Sequence, residues 1–441
     1  MPAVSGINYT PAQPTDDYAD SFAIGYDRIW SANLLSSFRV GWNYLNSVAS
    51  SPTSFPNLNA QIGFKGADTT LPGGLVSTSI TNFTGIGGGG KGNVTSTETR
   101  QVSGDLTWAR HEHSFKFGAA QYWLQTNFDS AQQSEGTLVF NGDYTRKGIS
   151  GTNPYGGFAD FLLGQAFSGS LSNLESVRDR QPLTAIFALD DWRVNKRLTI
   201  NYGIRYEMNL PPADKYNKTS NDNLDITGSP VLVLAGENGG SWPDRSTIHI
   251  DHAQFAPRLG FAYSLPGDKT VIRGAWGIFY SNAQQPGGMQ SLQINPPFHI
   301  QLAYTEALTT TNLTLQNGFP AGVLTPGGES DVQTVSDDTN GRWPRAQEWN
   351  VNIQRALPKD ILVEVGYVGN SLTGAWMQYD GNQAPPEPTP KGAPNADVNR
   401  PFQTLAIPGT GYTITSLADI VRIGKIGYSY YNALQLSLIH I

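Results

Sequence analysis

Apolar and polar residues alternate with period two over stretches of ten or more positions, and no other feature of this chain limits its fold so tightly. From Leu198 the even positions read Leu198, Ile200, Tyr202, Ile204, Tyr206 and Met208, and the odd ones Thr199, Asn201, Gly203, Arg205, Glu207 and Asn209. Successive side chains of a strand point to opposite faces, so such a segment is a strand with one apolar and one polar side. The same split sets Phe38, Val40, Trp42 and Tyr44 against Ser37, Arg39, Gly41 and Asn43, and Phe255, Leu259, Phe261 and Tyr263 against Gln254, Arg258 and small residues. It also sets Ile272, Trp276, Ile278 and Tyr280 against Arg273, Ala275 and Gly277. Weaker versions near 18–30, 97–110, 114–125, 182–194, 347–357, 361–369 and 426–441 bring the expected total to about eleven strands. Most are longer than the roughly 5–6 residues usual in a soluble sheet and close to the roughly 9–11 of a tilted membrane-crossing strand.

The connections alternate between very short and very long. Short ones fall at Ser31–Asn33, His111–His113, Asn195–Lys196, Pro266–Asp268 and Pro358–Asp360, built from residues whose backbone or side-chain chemistry favours turns. Between them run stretches of roughly 40–65 residues, near 49–96, 126–181, 210–252, 282–346 and 370–425, rich in Pro, Gly, Ser, Thr and Asn and low in regular pattern. A compact soluble domain seldom carries even one structureless loop beyond about 15 residues. An antiparallel up-and-down transmembrane β-barrel has short turns on its periplasmic side and long loops outside, so strand length and loop alternation share one cause.

Composition fits that reading. Charged residues make up 15% of the 441, against roughly 25% in average soluble chains. Aromatics reach 11% and Cys is absent, which excludes a disulfide scaffold, and the aromatic content with a net charge of only -7 excludes a disordered chain. Mean hydropathy is -0.32, and the longest apolar run, Val231–Ala235, falls far short of the ~20 residues of a spanning helix. A pI of 5.4 with no basic cluster argues against nucleic acid as partner.

On the barrel reading Arg39, Arg205, Glu207, Arg258 and Arg273 face the lumen, where charge is tolerated. Trp30, Trp42, Trp108, Trp123, Trp192, Trp276 and Trp349 lie toward strand ends and form the interfacial girdles. The alternative is a secreted β-rich adhesin or carbohydrate-binding protein, folded as a two-sheet sandwich with no bilayer role. The two differ in whether a second sheet covers the apolar face.

Several strings are distinctive together. Asp190–Val194 followed by Arg197–Glu207, Phe255–Ala262 with Thr270–Gly274 and Gly277–Tyr280, Glu348–Arg355 with Glu364–Gly369, and Tyr431–Leu436 resemble the barrel hairpins of TonB-dependent outer-membrane receptors, in particular the Oar-like branch. Phe158–Gly164, inside a long connection, is a further family-like string. The resemblance covers most of residues 16–441 in order. It implies a barrel of about 22 strands, an N-terminal plug, a TonB-contacting segment and energised movement of a large or scarce substrate through the outer membrane of a Gram-negative cell. Implied partners are outer-membrane lipid, the inner-membrane energising complex and the barrel-insertion machinery. Import, export and adhesion stay open, as does the substrate. Residues 1–15 then read as a truncated lead-in with no visible export signal, and 16–441 as a partial barrel without plug or TonB box that ends within a strand.

Motifs for chemistry are weak. Gly85–Lys91 fits Gly-x-x-x-x-Gly-Lys, but Gly92 stands where a magnesium-binding Ser or Thr belongs and no buried strand or following helix frames it, so it reads as a flexible loop. His111–His113 offers two imidazoles without a nearby third ligand and reads as turn filler. Asp190 and Asp191, as strand neighbours, point to opposite faces and cannot flank one glycosidic bond. No cofactor, metal or enzymatic activity is expected.

Overall fold

The computed structural model describes residues 15–49, 58–67, 73–90, 94–130, 134–146, 155–173, 175–224, 230–281, 292–305, 313–320, 324, 332–385, 399–415 and 417–440. The lead-in up to residue 14 and Ile441 lie outside them. Long strands form at every alternating segment: β1 (Thr15–Ser31), β2 (Leu34–Ala49), β3 (Val94–Arg110), β4 (His113–Ser130), β5 (Glu175–Arg193) and β6 (Leu198–Asn209). They continue as β7 (Phe255–Ser264), β8 (Thr270–Tyr280), β9 (Arg345–Leu357), β10 (Ile361–Asp380) and β11 (Leu417–His440). Each pairs antiparallel with the next in chain order, so one continuous meander results.

The turns joining neighbours use the expected chemistry. His111, Asp268, Lys359 and Asp360 adopt positive φ of 51–66°, and the Asn195 side chain accepts from the N–H of Arg197 and Leu198 at 2.8 and 3.0 Å. Several strands run longer than their alternation. β10 reaches Asp380 and β11 starts at Leu417; at the far end of β11 Leu417, Ile420, Ile423 and Gly424 are buried on both faces, which erases the period-two signal there.

Register carries the alternation across the sheet, apart from shifts at Ile29/Ser31 in β1 and around Ala375 in β10. Leu198, Tyr263, Ile272, Ile353 and Val365 are consecutive cross-strand partners on one side. Among the described residues no second sheet covers that side: Ile204, Leu259, Val351 and Leu434 are 46%, 52%, 46% and 76% exposed. A sandwich interior would bury them, so the sheet is a single wall. It is not closed. β1 and the Tyr428–His440 part of β11 each keep one edge unpaired among the described residues.

The long connections are not structureless. One group holds a five-stranded sheet in the order Gln301–Thr305, Ser168–Ser172, Thr137–Phe140, Gly73–Ile80, Phe83–Gly90. It packs on Phe64, Val76, Ile80, Leu138, Phe140, Leu171, Leu313 and Phe319, each at most 4% exposed. The Phe158–Gly164 string forms the helix Gly156–Leu163, closed by Gly164 at φ 72°. A second group joins the hairpins Ser220–Asn223/Val231–Leu234 and Leu405–Ile407/Tyr412–Ile414 over Leu232, Val332, Leu405, Ile407, Ile414, Leu417 and Ile420. Val332–Asp337 lies parallel on the outer end of β11. These pieces are 3–8 residues long, and some shift register, as between Leu75 and Thr78, so no periodic pattern advertises them. Gly85–Gly90 accordingly sits in a hairpin strand rather than a flexible loop, and Lys91 and Gly92 lie outside the described residues.

Candidate functional site

Register assigns every sequence-predicted residue to a face of the wall. Arg39 stands opposite Gly25 and Ser103, Arg205 opposite Phe187 and Ala256, Glu207 opposite Ala185, Arg258 opposite Gly203 and Gly277, and Arg273 opposite Ala262 and Asn352. All five lie on the polar face. Most charge there is balanced within the wall: Arg39 pairs with Asp27 at 2.7 Å, Lys116 with Asp105 at 3.3 Å and Arg205 with Glu207 at 2.5 Å. Arg273 donates to Gln354 at 3.4 Å, and the Asn201 and Asn352 amides donate to Asp191 and Glu364.

The seven tryptophans share the opposite, apolar face. Trp30, Trp108 and Trp192 stand within a few residues of the short turns, whereas Trp42, Trp123, Trp276 and Trp349 stand farther up their strands. Trp42, Arg100, Trp123 and Pro182 are consecutive partners across four strands. Beyond that row the apolar face turns charged, with Arg100 on Glu98 at 2.7 Å and Arg178 on Asp129 at 2.9 Å. Trp42 Nε1 donates to Glu98 at 2.7 Å, so the indole marks the boundary with its ring on one side and its N–H on the other.

Asp190 and Asp191 do point to opposite faces. Asp190 is 4% exposed on the apolar side, where its Oδ2 lies 2.7 Å from His113 Nδ1 and accepts from the Tyr202 hydroxyl at 2.8 Å. His113 stacks between Phe115 and Trp192, so it ties three strands rather than merely filling a turn. Sequence reasoning missed this cluster because only register brings residues 113, 190 and 202 together. Among the described residues no three His, Cys, Asp or Glu side chains are placed to hold a metal ion.

The sequence matches the family model described as "Outer membrane beta barrel domain" over residues 2–440. The chain belongs to this outer-membrane β-barrel family. Its place is the Gram-negative outer membrane. No curated protein matches the sequence. Among solved structures the barrel chain is similar to the outer membrane transporter YddB from Escherichia coli, with 10% identity, a TM-score of 0.48 and coverage of 97% of this chain and 40% of that one. It is also similar to the siderophore receptor PirA from Acinetobacter baumannii (10% identity, TM-score 0.44, 96% and 42% covered) and to the copper transporter OprC (9%, 0.42, 97% and 45%). The barrel chain thus spans under half the length of these structures.

The layer over the long-connection end of the barrel wall carries its own polar features. A cavity of about 260 Å³ is bordered by polar Asn221, Asp244 and His249 and by apolar Val233, Pro243 and Ile248. Beside it Asp222 is fully buried, with the Thr334 hydroxyl donating to Oδ2 at 2.7 Å and Oδ1 unbonded. Burial pushes its carboxyl up to about 6, against the opposing pull of Thr334 and Arg422. Because the folded value exceeds the unfolded one, Asp222 contributes stability that is complete below about pH 4 and lost as pH rises through 6. Acidification from pH 7 to 4 therefore strengthens the hold of this hairpin by about 2 kcal/mol relative to Asp222→Asn, whose side chain stays neutral. Urea midpoints of the outer layer in the two proteins across that range check this, and identical slopes would rule it out.

Proposed function

We propose that this wall forms part of a transporter of the TonB-dependent class, with substrate captured by the outer layer and passed along the polar face. The observation that supports this best is the segregation of the two faces: ion pairs and amides on one, and on the other a mainly apolar band in which the Asp190 carboxylate is buried against His113 and Tyr202. On β3 the band runs from Trp108 to Arg100, about 27 Å along the strand at ~3.4 Å per residue. At the usual strand tilt of ~40° that covers about 20 Å, the scale of a barrel's apolar belt. On this reading Trp30, Trp108 and Trp192 lie at the periplasmic interface and Trp42, Trp123, Trp276 and Trp349 at the outer one, while Arg39, Arg205, Glu207, Arg258 and Arg273 line the lumen.

Unpaired strand edges cost several kcal/mol per buried group in lipid, so the free edges of β1 and β11 are joined to further strands in the working barrel. The outer layer, with its folded cores and a cavity lined by both polar and apolar side chains, suits capture of a solute. The test is depletion of solutes from the growth medium by the native bacterium, a deletion strain, and a strain lacking the TonB energiser. The same solutes remain unconsumed in both mutants. Unchanged depletion in the deletion strain, or losses that do not overlap, sinks the reading.

A further inference from the structure

On the polar face, between β5 and β9, lies a groove of about 390 Å³. Its floor is built from Gly203, Gly260, Ala275 and Gly277, with the Leu189 side chain leaning over Gly203 and the Phe279 ring over Gly277. Arg258 and Glu348 are both register partners of Gly277, one on each side, so two strand spacings, roughly 9.6 Å, separate their backbones. Elsewhere in this wall Arg39, Lys116 and Arg205 find carboxylates, and Asp191 and Glu364 find amides. Arg258 and Glu348 differ: neither side chain makes an ion pair or hydrogen bond with any described residue, and they do not bridge to each other across the glycine. The Arg258 guanidinium instead lies over the Phe279 ring, 4.8 Å from its centre, which holds it at the groove rim.

We infer that this groove binds a small zwitterion, a free peptide of two or three residues, with its carboxylate on Arg258 and its ammonium on Glu348. The chemistry follows from three features. A cation and an anion left unmatched, one glycine apart, are each satisfied by a ligand that carries both charges. Extended peptide spans about 3.3–3.6 Å per residue, so two or three residues bridge the gap between side chains that lean over the floor. The small residues Gly260 and Ala275 leave room for a peptide backbone, and the Phe279 ring, which lies over Gly277 between the two charges, gives an apolar side chain a surface to rest on. A singly charged solute would leave one wall charge uncompensated, and a neutral sugar would leave both.

The site deepens the transport reading and rests on the polar face being a solute passage, but binding and passage are separable by experiment. In the purified full-length protein, binding of Ala-Phe-Ala is measured by titration calorimetry beside the same peptide acetylated at its amino end or amidated at its carboxyl end. Each cap weakens binding at least tenfold. Arg258→Gln removes the penalty for amidation and Glu348→Gln removes the penalty for acetylation, so each variant becomes indifferent to one cap only. Gly277→Val leaves both charges in place but brings side-chain atoms onto the floor, where even a first carbon would sit 3.2 Å from the Phe279 ring and 3.5 Å from Arg258 Cγ. It weakens the free peptide at least tenfold. Heat-modifiable migration on gels verifies that each variant folds. Equal binding of free and capped peptides overturns the site, as does no binding at all, the result if another protein segment fills the groove. Cap-dependent binding without peptide uptake in cells keeps the site and sinks the transport reading instead.

Discussion

Val351→Arg should destabilise the membrane-inserted barrel by about 2–4 kcal/mol, whereas Asn352→Arg, one residue along the same strand, should change stability by less than about 0.5 kcal/mol. Val351 lies on the apolar face, 46% exposed, between Gly274 and Tyr367 and two residues from Trp349. In lipid an arginine there has no carboxylate within the row and must distort the bilayer or stretch to its surface. Asn352 points the other way, beside Glu364, whose carboxylate its amide already meets. An arginine in that place gains an ion pair in a hydrated space. The expected difference corresponds to roughly a thirtyfold to thousandfold change in the folded fraction. It is read from urea unfolding in lipid vesicles or from the heat-modifiable fraction in outer membranes. Equal losses in the two variants would mean that neither face is bounded by lipid.

The wall was legible in the sequence because its design is repetitive. Ile200, Tyr202 and Ile204 announce a face by themselves, and the same period recurs in every long strand, so orientation follows from parity alone. Arg39, Arg205, Arg258 and Arg273 could be assigned to one side of their strands on that basis, with no knowledge of which strand pairs with which. The outer layer was opaque for the opposite reason. Leu138 and Phe140 are buried against Leu171, Leu313 and Phe319, residues from distant connections, in strands of four or five positions. A period needs more residues than that to rise above chance, and such cores are specified by packing rather than by pattern.

The candidate site divides along the same line. Which face a charge occupies is local information. Which partner it meets is not. Arg39 finds Asp27 and Arg205 finds Glu207, yet Arg258 and Glu348 are left open, and only the register of β7, β8 and β9 distinguishes the two situations. The Asp190 cluster makes the same point on the other face. A carboxylate on an apolar face looks misplaced in sequence, until residues 113 and 202 are brought to it by pairing on either side.

Asn295→Ala should open the outer layer while leaving the wall intact. Asn295 is fully buried, and its amide joins two elements: Nδ2 donates to the carbonyls of Ser220 and Val335 at 2.7 and 2.8 Å, and Oδ1 accepts from the N–H of Val335 at 2.7 Å. Gln293 on the same segment donates to Asp179 of β5 at 2.6 Å, and Asn173 fastens its far end through Phe298 and Ile300. The segment 292–300 is therefore a strap that holds the Ser220–Asn223 hairpin and Val332–Asp337 over the polar face of β5. Truncation leaves three buried backbone groups without partners at about 1–3 kcal/mol each, hence a loss of roughly 3 kcal/mol or more. Opening should become over a hundredfold more frequent. Asn317, exposed on the neighbouring layer, sets the scale, since Asn317→Ala should cost less than about 0.5 kcal/mol. Hydrogen exchange should then lose protection at 220–223, 292–300 and 332–337 in Asn295→Ala, with β1 to β10 unchanged. The strap has no such role if protection survives as it does in Asn317→Ala. A simultaneous loss across the wall would mean that layer and wall unfold as one unit, and the outer layer could not then open for a solute while the barrel stays in the membrane.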